Sequence, residues 1–175
     1  MGESWVRGIF FRQVLDYVRL KRGRTSYELL GMDVSDFRPD EKYDFAEFGN
    51  LLSKVKLISP GEEDYVARIS RDLMLREVTW KNLFIRMDPK NVFASTKKQE
   101  GRHQLADYKA LEVTDSMVKL QMRIWSENRE HQDLWADFYR GRLEGILDLM
   151  GRKGQVKAVR EFGDGGAFTY TITWS

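Results

Sequence analysis

The stretch DFYRGRLEGILDLMG, residues 137–151, sets two glycines four apart inside a run that otherwise has the period of an amphipathic helix. A glycine within a helix costs roughly 0.5–1 kcal/mol relative to alanine, so Gly141 and Gly145 need a reason from the fold. On a helix over 130–150, Leu134, Phe138, Gly141, Gly145 and Leu149 share one stripe, with Ile146 and Met150 beside it. Missing side chains in the middle of an apolar face let another backbone or a bulky ring approach closely. The helix therefore either packs tightly on a neighbour or lines a pocket. The same spacing occurs in membrane helices, but Arg140, Arg142, Glu144 and Asp148 surround it here. Trp135, Tyr139 and Leu143 form a second apolar stripe. If exposed, that stripe predicts a homodimer or a partner surface; if covered, it is core.

The segments flanking this helix have a different period. In SMVKLQMRIW, Val118, Leu120, Met122 and Ile124 alternate with Lys119, Gln121 and Arg123, the pattern of a half-buried strand. Residues 104–113 are its expected partner, with Thr114-Asp115 in the turn. After the helix, QVKAVREF and AFTYTITW flank GDGG, residues 163–166, a hairpin signal. Upstream the chain reads as helices. One is expected over 5–22, with Gly23 as its stop, then a short one ending at Gly31 and one from Tyr43 to Val55. A further helix is expected after SPGEED, where Ser59 caps and acids fill the first turn. Residues 78–87 and a short piece after Pro89 complete the helical part. The expected class is α+β: an N-terminal helical part, then an antiparallel sheet of about four strands with a packed helix, strand-strand-helix-strand-strand. At 175 residues, 1–175 reads as a single domain, 1–100 mainly helical and 101–175 sheet plus helix.

Composition removes several function classes. There is no cysteine, so disulfides, zinc–thiolate sites, iron–sulfur clusters and cysteine nucleophiles are excluded. Charged residues make up 32% but nearly cancel, at +2, which gives no electrostatic footprint for nucleic acid or an anionic membrane. No apolar run approaches a membrane span, and a cytoplasmic protein is expected. Two histidines in polar surroundings support no nucleophile–base–acid set, so an enzyme is not expected. Glu130, His131 and Asp133 read as a helix-start charge cluster, and no metal is expected.

The glycine-bearing helix followed by a hairpin ending in FTYTITW resembles the C-terminal half of the superfamily that groups H-NOX haem domains, 4-vinyl reductase domains and TRAPP vesicle-tethering subunits. VRGIFFRQVLDYVRLKRG is similar to the H-NOX opening. Residues 86–124 resemble more closely the middle of a haem-less, myxobacterial-type paralogue family in that superfamily. The resemblance implies a sensory, small-molecule-binding domain, with a TRAPP-like assembly module as the alternative. H-NOX domains hold haem through a histidine on a helix just before the two middle strands, and grip its propionates with Tyr-x-Ser-x-Arg. The expected helix, 78–87, has no histidine. In IWSENR, Ser126 matches, but Ile124 stands at the tyrosine position and Asn128 at the arginine position, with Arg129 one place off. Haem is therefore not expected; His103 is the residue a haem reading would have to use, and it is poorly placed for that role. The zinc site of cysteine-bearing relatives is absent. Relatives of this fold cradle hydrophobic molecules between the N-terminal helices and the sheet. The candidate pocket residues are Phe10, Tyr17, Phe48, Trp80, Phe84, Gly141 and Gly145, with Phe11 and Phe45 nearby, for a small hydrophobic ligand. The expected partners are a second copy or a signalling protein.

Overall fold

The computed structural model describes residues 4–76, 82–95, 103–162 and 165–175. The elements in chain order are β1 (Trp5–Arg7), α1 (Gly8–Leu29), β2 (Lys42–Asp44), α2 (Phe45–Leu57), α3 (Tyr65–Arg76), α4 (Pro89–Ala94), β3 (His103–Gln104), β4 (Ala106–Val113), β5 (Met117–Ile124), α5 (Arg129–Leu149), β6 (Gly154–Arg160) and β7 (Ala167–Trp174). The class is α+β, as the sequence pattern requires.

The strands form two sheets. The larger runs β4-β5-β7-β6, all antiparallel, and the smaller runs β2-β1-β3. Val118, Leu120, Met122, Ile124, Phe168, Tyr170, Ile172 and Trp174 are buried on one face of the larger sheet, the alternation that gave the strands away. α5 lies on that face. The Tyr170 hydroxyl donates to the Ala136 carbonyl at 3.0 Å, fixing helix to sheet.

The small sheet corrects two helix boundaries. Trp5–Arg7 pairs with Lys42–Asp44 on one side and His103–Gln104 on the other. α1 therefore begins at Gly8, and α2 begins at Phe45, where the Asp44 side chain accepts from the Ala46 N–H. Gly23 interrupts α1 as expected: its φ of +81° and ψ of −179° are not helical, so α1 is two helices joined at a kink, the second running to Leu29 just before Gly31. The SPGEED start is also displaced. α3 begins at Tyr65, and the Ser59 hydroxyl is buried without a hydrogen-bond partner among the described residues, so it caps nothing.

α5 has packed surface on nearly every side. Gly141 and Gly145 face α3, not the sheet. A Cβ on Gly141 would stand 2.6 Å from the Ala67 carbonyl carbon, and one on Gly145 would stand 2.7 Å from the Met74 Cβ. The missing side chains let two helix backbones cross in contact. Trp135 and Phe138 meet the rings of α1 and α2, while Tyr139 meets Tyr108 and Tyr170 of the sheet. The second stripe, Trp135, Tyr139 and Leu143, is thus core, at 0%, 2% and 2% exposure. It offers no surface to a second copy, because the N-terminal helices and the sheet already cover it.

Candidate functional site

The candidate pocket residues divide into three groups. Phe10 and Phe48 come together with Trp135 and Phe138, their rings 5.6–6.3 Å apart in mostly edge-to-face contacts. Phe11 stacks on Phe37 at 4.2 Å, and Phe45 meets Trp135 at 5.9 Å. Tyr17 lies apart from this cluster, against Tyr65 at 6.4 Å, and its hydroxyl donates to Asp72 at 2.7 Å. Burial and the Asp72 carboxylate hold its phenol well above the ordinary tyrosine range. Phe84 is buried at the end of the helical turn 82–84, and Trp80 lies outside the described residues. Gly141 and Gly145 are occupied by α3 and line no space on that side.

A polar cluster is enclosed where α5 meets the sheet. Tyr108 of β4, Tyr139 of α5 and Tyr170 of β7 meet in sequence, the first pair tilted at 5.3 Å and the second edge-to-face at 5.4 Å. Burial pushes the phenols of Tyr108 and Tyr170 far up. The Trp135 indole N–H acts on the Tyr108 hydroxyl and partly offsets that rise. Arg142, half-buried on α5, lies 5.5 Å over the Phe10 ring and also bears on Tyr108. The cluster puts hydrogen-bonding groups and one cation beside the aromatic interior. Its members come from three distant segments, and Tyr108 sits in the strand with the weaker alternation, so no local pattern marks it.

The positions that matter for haem are distinct. Among the described residues, the helix next before the middle strands is α4, Pro89–Ala94, capped by Asp88; of the expected helix 78–87, residues 78–81 lie outside the described residues and 82–84 form a helical turn. The α4 sequence, PKNVFA, has no histidine. His103 is on β3, where it pairs in register with Val6 of β1. His131, in the first turn of α5, is 6% exposed and packs on Gly49 of α2 and edge-on to Phe45 at 6.4 Å. Its Nδ1 has no hydrogen-bond partner among the described residues. Ile124 is buried on the inner sheet face, and the Asn128 side chain accepts from the His131 N–H at 3.1 Å as the cap of α5. Both are committed to the fold at the places where the propionate motif needs a tyrosine and an arginine. Among the described residues no group of three or more His, Asp or Glu side chains is placed to hold a metal ion.

A ligand-sized cleft of about 740 Å³ opens where the small sheet meets the turn between β5 and α5. Trp5, Lys42, Gln104, Trp125 and Glu127 are among its walls. The Trp5 N–H donates to the Gln104 side-chain oxygen at 3.0 Å and the Trp125 N–H to Asp107 at 2.8 Å. The Lys42 ammonium lies 4.2 Å over the Trp5 ring. The sequence reading missed this cleft, because four short, separate segments build it.

This arrangement of helices, α5 and antiparallel sheet is the H-NOX fold. The Fe(II) unliganded H-NOX protein from K. algicida superimposes with a TM-score of 0.75 over 97% of each chain at 16% identity. The H-NOX protein from S. oneidensis in the Fe(II)NO ligation state matches at 0.67, over 97% of this chain and 99% of that one, with 13% identity. The IWP-051-bound H-NOX from Shewanella woodyi matches at 0.67, over 96% and 94%, with 14% identity. No protein-family model and no curated protein matches the sequence.

Proposed function

We propose that this chain is a non-enzymatic sensory domain of the H-NOX fold that answers to a small, largely apolar molecule and does not hold haem through a histidine. The observation that carries the reading is the lack of a histidine before the middle strands. Neither the segment 78–87, VTWKNLFIRM, where the resemblance puts the iron ligand, nor α4, PKNVFA, the described helix next before the middle strands, contains a histidine. The other two requirements are also unmet by the residues present: Ile124 and Asn128 are tied into sheet and helix cap. Axial ligation needs a nitrogen aimed from a rigid element, and the His131 ring is wedged between α5 and α2.

The signalling step follows from α5. One helix touches α3 through its glycines, α1 and α2 through Trp135 and Phe138, and the sheet through Tyr139. A ligand bound beside the aromatic interior shifts these layers against one another and biases two arrangements of a close-packed core. Arg142 and the tyrosine cluster supply polar anchors for a ligand carrying one hydrogen-bonding or anionic group. The TRAPP-like alternative gains nothing from the Trp135 stripe, which is covered.

Native mass spectrometry of the purified protein, paired with thermal shift against a panel of small aromatic and aliphatic molecules, tests the reading. The expected result is a non-covalent mass lost on denaturation, or a ligand that raises the melting temperature. A ligand-free chain that no member of the panel stabilises would overturn it in favour of an assembly module.

A further inference from the structure

β6 is the end strand of the larger sheet, and among the described residues it pairs with β7 alone. Its seven residues, Gly154–Arg160, run in unbroken register with β7. At the opposite edge, β4 is interrupted by a shift between Ala110 and Glu112, the kind of irregularity that blunts an edge against pairing. β6 has none.

A cleft lies at each end of this open edge. One, of about 370 Å³, is walled by Gly154, Gln155 and Val156 together with Arg71, Arg140 and Arg152. The other, of about 700 Å³, is walled by Arg160, Phe162 and Gln132. Between and beyond them, Val159 is 62% exposed and Phe162 fully exposed. An open edge with side-chain clefts at both ends is what a bound strand uses: main-chain hydrogen bonds along the edge, side chains in the clefts.

Charge decides the occupant. The acids of the first cleft are already paired, Asp64 and Glu144 with Arg140 and Asp148 with Arg71. Arg152, Lys153 and Lys157 are exposed and make no ion pair among the described residues. In a full-overlap antiparallel pairing of two β6 edges Lys157 faces the Lys157 of the other copy, which disfavours a second copy. A strand with acidic side chains meets them favourably.

We infer that the β6 edge is a docking site for an extended segment of a partner protein. The segment is about seven residues, or about 23 Å, long. It is acidic where it passes Lys153 and Lys157 and apolar where it covers Val159 and Phe162. The inference stands on the sheet edge and goes beyond the ligand reading, so either can fail alone.

The probe is a short fluorescein-labelled peptide of glutamates followed by alternating valine and threonine, with a control in which lysines replace the glutamates. Fluorescence anisotropy on the full chain is expected to show binding of the acidic peptide only, weakening as salt rises. Lys157→Glu with Phe162→Ser is expected to weaken it at least about tenfold, with the melting temperature unchanged because both side chains are exposed. Amide exchange should slow along 154–160 when the peptide binds. Equal binding of both peptides, no binding of either, binding that the double variant leaves intact, or a dimer through β6 in sedimentation would each overturn the inference.

Discussion

Replacing Gly141 by alanine tests why the long helix carries glycines at all. In an isolated helix the change is favourable by about 1 kcal/mol. Here the new Cβ would lie 2.6 Å from the Ala67 carbonyl carbon and 2.9 Å from the Ala67 Cα. Carbon–carbon contact is comfortable only from about 3.5 Å, and the Ala67 carbonyl oxygen is nearer still, so α3 must retreat by at least about an ångström. The obstacle is backbone, which no rotamer change relieves. Retreat also loosens Ile69 and Met74, which are 0% and 2% exposed. Overpacking of this kind costs about 3 kcal/mol, and the propensity gain leaves a net loss of about 2. For a chain of this size that lowers the melting temperature by about 4–8 °C. Urea unfolding followed by circular dichroism measures it. Gly165→Ala, where an added Cβ meets nothing within 4 Å, is the reference and should stay within about 0.5 kcal/mol of the parent. If Gly141→Ala is as stable as the parent or more stable, the backbone-contact argument is wrong.

Three further outcomes are expected. Gly49→Ala should destabilise the parent but be nearly neutral beside His131→Ala, because the imbalance comes from the imidazole resting on α2; a double-mutant cycle should give a coupling of about 1 kcal/mol or more, and additivity would refute it. Tyr17→Phe removes the hydroxyl that donates to Asp72 at 2.7 Å and should cost about 1–2 kcal/mol in urea unfolding; no loss would mean that water replaces the bond. The Asp33 carboxyl is held down to about 2 by hydrogen bonds from the Ser35 hydroxyl and N–H and from the Tyr27 hydroxyl. Its folded value is below the unfolded one, so its contribution is complete above about pH 4 and is lost as pH falls towards 2. The stability gap between parent and Asp33→Ala should therefore shrink across that window, and a constant gap would contradict the assignment.

The sequence was most legible where the pattern is local and long. Val118 to Ile124 and Phe168 to Trp174 alternate cleanly, and both strands form with their apolar residues on the face under α5. The glycine pair announced a close approach, but α3 is its partner, and only the tertiary crossing shows that. β1, β2 and β3 were missed for a physical reason. Strands of two or three residues have no room for alternation, and each gains its hydrogen bonds from a segment far along the chain. Val6 and Phe10 also fit a helical stripe, so the start of α1 was read three residues early. Ser59-Pro60 has the chemistry of a helix start without being one. Phe10, Tyr17, Phe48 and Phe84 are buried, yet residue type alone does not separate ring-on-ring packing, as at Phe10 and Phe48, from a cavity wall. The covered stripe at Trp135, Tyr139 and Leu143 could not be told from an exposed one, because burial on three sides of α5 is set by elements that share no local pattern with it.

Haem uptake tests most directly our proposal that the H-NOX fold is used here without histidine-held haem. The purified chain is reduced, mixed with one equivalent of haem, passed through gel filtration and read by absorption and by pyridine haemochrome assay. The account predicts that haem separates from the protein and that the eluted chain has no Soret band. Haem that co-elutes in equal amount, with a Soret band that His103→Ala alters or abolishes, would contradict it.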